Sequence, residues 1–192
     1  MPCGTHWNAC STCSHMAEPK RRLFFALWPD KMVRTRCDWY VSGILGKRVR
    51  RVPADNLHLT LAFAGSVTDT VSRCLEAHAD RVALEPFSLQ IDHLGYWHRQ
   101  RLLWMGPTHM PDGLWALVTA IRDAFDDCGL ERERRAFQAH MTLARKFSAA
   151  LPAAEAPAID WDVDSFCLVQ SVNSENGVSY RVLRRWALEG AQ

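Results

Sequence analysis

Two five-residue segments of this 192-residue chain share one pattern, His58-Leu59-Thr60-Leu61-Ala62 and His140-Met141-Thr142-Leu143-Ala144, set 82 positions apart. Both read His-x-Thr-Leu-Ala. In a β-strand residues i and i+2 share a face, so each copy sets an imidazole beside a hydroxyl. Leu59, Leu61, Met141 and Leu143 then turn to the opposite face and into a packed layer. A single His-x-Thr on a strand is ordinarily a satisfied, half-buried polar pair. An unsatisfied inward polar group costs roughly 1–3 kcal/mol, so a chain that repeats the pair at equivalent places points to use. An approximate twofold between the strands would gather two imidazoles and two hydroxyls around one cleft.

Such a set suits metal-free phosphodiester hydrolysis. An imidazole titrates at about 6.5, so near neutral pH one histidine can take a proton from water while the other gives one to the departing oxygen. Hydroxyls and a cationic fork can meet the charge that builds on the non-bridging oxygens. Arg145-Lys146, directly after the second repeat, supplies the cation. His6 and His15 lie near the amino terminus, and His78, His93, His98 and His109 stand alone on helix faces or in loops; each reads as structural or solvated. A non-catalytic protein that recognises a phosphate end with the same groups is the competing class.

The elements that must hold these groups follow from periodicity. Leu23–Trp28 is a buried strand, and Pro29-Asp30 turns it into a helix over Lys31–Leu45 that Gly46 closes. Val49–Val52 is a short basic strand, Asn56–Phe63 an alternating strand ending at Gly65, and Val71–Val82 a helix. Phe87–Leu94 and Leu102–Met105 are strands, Pro111–Cys128 is a long amphipathic helix stopped by Gly129, and His140–Ala144 is a strand. An Ala/Pro-rich connection over Ala149–Ile159 leads to a closing hairpin of Phe166–Val172 and Val178–Leu188. The mixture of helical and hairpin connections indicates an α+β layout with antiparallel or mixed sheets.

Composition bounds the class. With 48% hydrophobic and 23% charged residues the chain resembles a globular domain rather than a disordered or fibrous one. Its length suits one domain or one domain of two similar lobes. No stretch approaches the roughly 18 apolar residues of a membrane span, so no membrane partner is expected. The net charge is only +2, although 19 Arg stand against 4 Lys, a bias that suits phosphate recognition but that genome base composition also produces. Cys37, Cys74, Cys128 and Cys167 are scattered through apolar segments and read as buried free thiols of a reducing, cytoplasmic compartment.

Met1–His15 differs from the rest, with three Cys, two His and no charge. Cys10-x-x-Cys13, with Cys3, His6 and His15, could be drawn as a metal site, but no second ligand pair on a hairpin or helix closes it. Residues 1–15 are read as a disordered leader or tag ahead of a start at Met16, with residues 16–192 forming one domain. No metal and no cofactor is expected.

From Arg22 to Leu188 the chain resembles the two-histidine phosphoesterases, specifically the bacterial and archaeal RNA 2',3'-cyclic phosphodiesterases, also described as 2'-5' RNA ligases or LigT-like proteins. The resemblance rests on Arg22–Leu27, on Asn56–Phe63 and His140–Arg145 with their His-x-Thr cores, on Arg101–Gly106 and on Tyr180–Leu188. It implies a bilobal α+β fold, with two antiparallel sheets related by a pseudo-twofold, helices outside and a central cleft. It also implies metal-independent opening of RNA 2',3'-cyclic phosphate ends to 2'-phosphates. By position His58 and His140 become the acid/base pair, with His58 as acid for the 3' oxygen and His140 as base for water. Thr60 and Thr142 hold the phosphate, Arg145 contacts it, and Phe24 or Phe25 is the candidate stacking surface for the terminal base. Trp104 and Trp186 are packing residues. The expected partners are RNA with cyclic phosphate ends, tRNA halves or cyclic nucleotides; ligation and small cyclic-nucleotide hydrolysis stay open, and a monomer is expected. Ala139 stands where the family often has Pro, and Ala64 where many relatives have Leu; neither change removes a reacting group.

Overall fold

The protein is described by a computed structural model covering residues 18–46, 49–150, 155–174 and 177–190. Met1–His15, with its Cys/His cluster, lies outside the described residues. Strand β1 (Lys20–Leu27) carries an unbroken apolar run and is buried on both faces, as such a run requires. Helix α1 (Lys31–Ile44) starts where the Asp30 carboxylate accepts from the Val33 N–H at 2.8 Å, and it buries Val33, Cys37, Tyr40 and Val41. It ends at an extended Leu45 rather than on Gly46. A single 3₁₀ turn, Ala54–Asn56, precedes β2 (Leu59–Thr68), and α2 (Asp69–Ala79) follows at once, capped by the Thr68 hydroxyl.

Next come β3 (Phe87–Ile91), β4 (His93–Trp97), β5 (Leu102–Gly106), α3 (Asp112–Asp127), β6 (Met141–Arg145), β7 (Ile159–Val163), β8 (Ser165–Ser174) and β9 (Gly177–Ala187). Seven strands form one antiparallel sheet in the order β4-β5-β6-β2-β1-β8-β9, and β3 pairs with β7 in a second, two-stranded sheet. The expected two sheets are thus a three-stranded and a four-stranded group. They meet at β2 and β6 through one residue pair, Leu59 opposite Met141.

The sheet has two unlike faces. Leu23, Phe25 and Leu27 of β1 join Leu59, Leu61, Met141 and Leu143 in the main core, against the apolar stripes of α1, α2 and α3. Phe24 and Ala26 point the other way and join Cys167 and Val169 in a small cluster under the cleft. All four turned-in residues of the repeats are at most 3% exposed, as period-two reading requires.

Three readings change. The single strand expected over Phe87–Leu94 is two, because Asp92 breaks it: its N–H goes to the Gly106 carbonyl and its carboxylate accepts from the Thr108 N–H, moving the chain from the small sheet to the large one. Strand β7 follows the connection that ends at Ile159. Its Ile-Asp-Trp-Asp-Val alternation buries Ile159, Trp161 and Val163, while Asp160 and Asp162 accept from Gln90 and Ser88 on β3. The short strand expected at Val49–Val52 is a bridge, Arg51 opposite Ala144, with the Val52 N–H on the Leu143 carbonyl.

The cysteine reading also changes. Cys37 and Cys167 are buried free thiols, and burial pushes both up to about 11. Cys74 and Cys128 form a disulfide between α2 and the end of α3, so these two no longer speak for a reducing compartment. Among the described residues no helix is long and apolar enough to cross a membrane.

Candidate active site

The Leu59–Met141 pair sets the site's geometry. In an antiparallel ladder, one step to either side of a paired couple brings i−1 opposite j+1, which puts His58 across from Thr142 and Thr60 across from His140. The local twofold therefore runs through the seam between the strand groups. The cavities follow the same diagonal: one of about 740 Å³ is lined by Thr60 and His140, and one of about 260 Å³ by His58, Thr142 and Arg145. The structure brings the five polar residues expected at the site to this one seam.

Both imidazoles are anchored alike. His58 Nδ1 lies 2.7 Å from the Asn56 carbonyl, and His140 Nδ1 lies 2.9 Å from the Gln138 carbonyl. A carbonyl can only accept, so each Nδ1 carries the hydrogen and donates it to residue i−2. In the neutral ring the lone pair is then on Nε2. The 3₁₀ turn Ala54–Asn56 presents the first carbonyl. Before the second histidine, Ala139 is held by close approach: a Cβ on Gly106 would come within 2.4 Å of the Ala139 carbonyl oxygen. This glycine packs the backbone that leads into His140.

The surroundings of the two rings differ. Leu27 pairs with Leu59, so Trp28, one step on, faces His58 and stacks on it at 5.3 Å with rings 2° from parallel. Phe24 at 5.1 Å and Tyr180 at 4.8 Å close two more sides. Burial holds His58 far below its ordinary value, at about 4; the Asn56 carbonyl opposes the shift, and the charges of Arg145 and His140 add to it. His140 has the edge of Trp97 at 4.4 Å and Trp104 at 6.4 Å. It too is lowered by burial, opposed by Gln138 and reinforced by Arg145. Arg145 thus acts electrically on both rings.

Arg145 is exposed, Thr60 and Thr142 are half-buried, and Lys146 takes a left-handed φ of 55° that turns the chain sharply after Arg145. The smaller cavity adds Arg50, Arg51 and Lys146 to Arg145, so it is strongly cationic. The larger is lined by Arg122 and the loop Glu131–Arg135, with Phe63, Trp97 and Phe137 between the charges. Arg22 lies over the Phe63 ring at 5.9 Å and Arg122 over Phe137 at 5.8 Å.

Phe24 and Phe25 need correction as a base-stacking surface, since both are 0% exposed. Phe25 faces the main core, against Phe125, Phe166 and Trp186. Phe24 supports the underside of His58. The rings at the cleft are Phe63, Trp97, Phe137 and Tyr180, which line the cavities, and Trp28, which stacks on His58; the sequence reading assigned none of them to the site. A usable signal was the position of Trp28 directly after a strand that had to pair with the His58 strand. Trp104 and Trp186 are packing residues as expected, 5% and 8% exposed. Among the described residues, the His, Cys, Asp and Glu side chains close enough to share a metal ion are Cys74, His78 and Cys128, away from the cleft.

Comparison with known proteins matches the sequence and the fold of the chain to one family. The profile of the 2'-5' RNA ligase superfamily matches residues 34–175. The chain is 35% identical to the RNA 2',3'-cyclic phosphodiesterase of Escherichia coli K12 over 90% of its own length and 99% of that protein's. It is 28% identical to the protein of the same name from Thermotoga maritima, over 88% of this chain and 96% of that one. The apo crystal structure of E. coli LigT superposes with a TM-score of 0.83 at 32% identity, covering 89% of this chain and 99% of that one; a complex of LigT with 3'-AMP gives the same score at 33% identity, over 88% and 98%. With a profile match across most of its length and near-complete coverage of a relative above 30% identity, the chain belongs to the 2'-5' RNA ligase superfamily.

Proposed function

We propose that this protein hydrolyses RNA 2',3'-cyclic phosphate ends to 2'-phosphates, with His58 and His140 as a metal-independent acid/base pair. The observation that carries this reading is the pair of identically anchored imidazoles, each with Nδ1 on a backbone carbonyl, set diagonally with two threonines about the Leu59–Met141 seam. The names of the relatives, RNA 2',3'-cyclic phosphodiesterase, agree with it.

In the reaction, a water oxygen bonds to phosphorus as the bond from phosphorus to the 3' oxygen breaks. His140 Nε2 takes the water proton, and His58 Nε2–H gives one to the 3' oxygen, leaving the phosphate on the 2' oxygen. Thr60, Thr142 and Arg145 hold the non-bridging oxygens as charge builds. Burial leaves both rings neutral at pH 7 in the free protein. The anionic phosphate, entering beside His58 and Arg145, favours the imidazolium and so supplies the acid form that burial opposes. Nε2 must stay free to carry protons on both rings, which leaves no ring nitrogen for a metal. The larger cavity, with arginines interleaved among aromatic rings, suits the RNA chain leading to the cyclic end, since phosphates pair with guanidinium and bases stack on rings.

The test is incubation of an oligoribonucleotide ending in a 2',3'-cyclic phosphate, and of the matching cyclic mononucleotide, in excess chelator. A 2'-phosphate product, formed faster from the oligonucleotide, is expected. Retained binding of the oligonucleotide without any turnover would replace hydrolysis by simple end recognition, and turnover restored only by added metal would end the acid/base mechanism.

A further inference from the structure

The sheet face opposite the cleft carries a group of side chains that the hydrolysis does not use. Cys74 and His78 are four residues apart on α2 and so share one face of that helix. Cys128 caps the C-terminus of α3, fixed by a turn in which Gly129 takes φ +73° and the Leu130 N–H reaches the Phe125 carbonyl. The two Cα atoms are 5.9 Å apart, the donor atoms of Cys74, His78 and Cys128 lie within 4.8 Å of one another, and all three residues are half-buried. The Asp127 carboxylate stands 3.6 Å from His78 Nδ1.

We propose that, once the Cys74–Cys128 disulfide is reduced, the two thiolates and the His78 imidazole bind one divalent cation of the zinc class, with Asp127 orienting the imidazole. Two sulfurs and one nitrogen are the donor set of a tetrahedral soft-metal site. At metal–sulfur bonds of about 2.3 Å and metal–nitrogen bonds of about 2.0–2.1 Å, tetrahedral donors stand about 3.5–3.8 Å apart. These donors already approach that spacing, and the sulfurs reach it by side-chain rotation once the bond between them is gone. Asp127 beside Nδ1 leaves Nε2 for the metal, the arrangement by which a carboxylate fixes the ring of a ligating histidine. A water completes the fourth position.

The steps balance. A dithiol reductant exchanges its two thiols for a disulfide and leaves Cys74 and Cys128 as thiols. The cation then displaces their two protons to solvent and gains two sulfur bonds. Disulfide and metal are therefore alternative ties between α2 and α3, chosen by the thiol state of the surroundings.

The probe is cobalt(II), titrated into the full chain carrying Cys3→Ser, Cys10→Ser and Cys13→Ser so that the amino-terminal cluster cannot contribute. The reduced protein is expected to take up one equivalent, with thiolate-to-cobalt charge transfer and the strong visible bands of a tetrahedral site, and zinc should bleach both. The oxidised protein should show neither. Cys74→Ser and Cys128→Ser should each abolish the charge-transfer band, and Asp127→Asn should weaken binding about 10-fold to 100-fold. If reduction alone loosens the helices, recovery of circular dichroism on adding zinc supports the site, and failure to recover overturns it. A reduced, folded protein that binds no cobalt, or whose bands survive Cys74→Ser and Cys128→Ser, overturns it as well.

Discussion

The two His-x-Thr strands resemble each other in what they hold fixed and differ in what surrounds them. His58 and His140 both donate Nδ1–H to the carbonyl two residues earlier, so the same nitrogen faces the cleft on both sides. Around His58, however, Trp28 stacks flat and Phe24 and Tyr180 close in. Around His140 the nearest ring is Trp97, edge-on, and the larger cavity opens beside it. The backbone thus sets the tautomer alike on both sides, while the neighbouring rings set different surroundings for proton affinity, the difference that the proposed acid and base would need.

The comparison breaks most directly at the histidines themselves. His58→Ala and His140→Ala should each lower kcat by about 100-fold to 10,000-fold with the fold retained by circular dichroism, and the double variant should be little worse than the poorer single one. Wild-type-like turnover in either single variant would remove that ring from the chemistry.

Stability against acid separates the rings next. His58 titrates at about 4 in the fold against about 6.5 unfolded, so the unfolded chain binds the proton more readily. Its stabilising contribution is complete above about pH 6.5 and is lost as pH falls through 4, amounting to about 3 kcal/mol over that window. His140 contributes in the same direction. Denaturant unfolding from pH 7 to 4 should therefore show a steep loss that His58→Gln flattens; an equal slope in that variant would contradict the depressed value. Because both rings are lowered in the free protein, kcat/KM should already be falling with rising pH below about 6.5, as the His58 imidazolium is lost, whereas kcat, measured with the phosphate anion in place, should hold to higher pH.

Two smaller effects sharpen the contrast. Arg145 depresses both histidines, so Arg145→Ala should raise both titrations while increasing KM about tenfold. Of the two imidazoles Trp28 stacks only on His58, so Trp28→Ala should raise the His58 titration and leave His140 where it is. Imidazole NMR titrations of the free protein read both, and a Trp28 effect that appeared at His140 would show the rings to be less separate than their contacts imply.

The placement of the two His-x-Thr pairs at one seam was legible because period-two alternation needs only a neighbour two residues away, and both strands satisfy it locally. Leu59, Leu61, Met141 and Leu143 were placed in the core for the same reason. The aromatic surroundings were not legible, because they arrive through long-range pairing: Tyr180 comes from β9, and Trp28 meets His58 only through the β1–β2 register. Phe24 and Phe25 were given to one buried strand, but period alone did not say which of its faces lies under the cleft and which meets the main core. The Cys74–Cys128 bond joins residues 54 positions apart, and no spacing rule selects that pairing among seven cysteines. Strand β7 shows the converse: its alternation was present in Ile159–Val163, but an Ala/Pro-rich approach masked it.

The chain order of the strands has a consequence for how the protein comes off the ribosome. Strands β4, β5 and β6 all lie between His93 and Arg145, so that group can pair soon after its residues emerge. Strand β1 can pair with β2 early, but its other edge waits for β8 at Ser165–Ser174, more than a hundred residues later. Until then Phe24 and Ala26 lack Cys167 and Val169, and His58 lacks Tyr180. Long loop closure is the slow, entropically costly part of folding. The nascent chain can therefore complete the β4-β5-β6 group before β8 and β9 dock, and His58, which already has Phe24 and Trp28 from the β1 side, gains Tyr180 last.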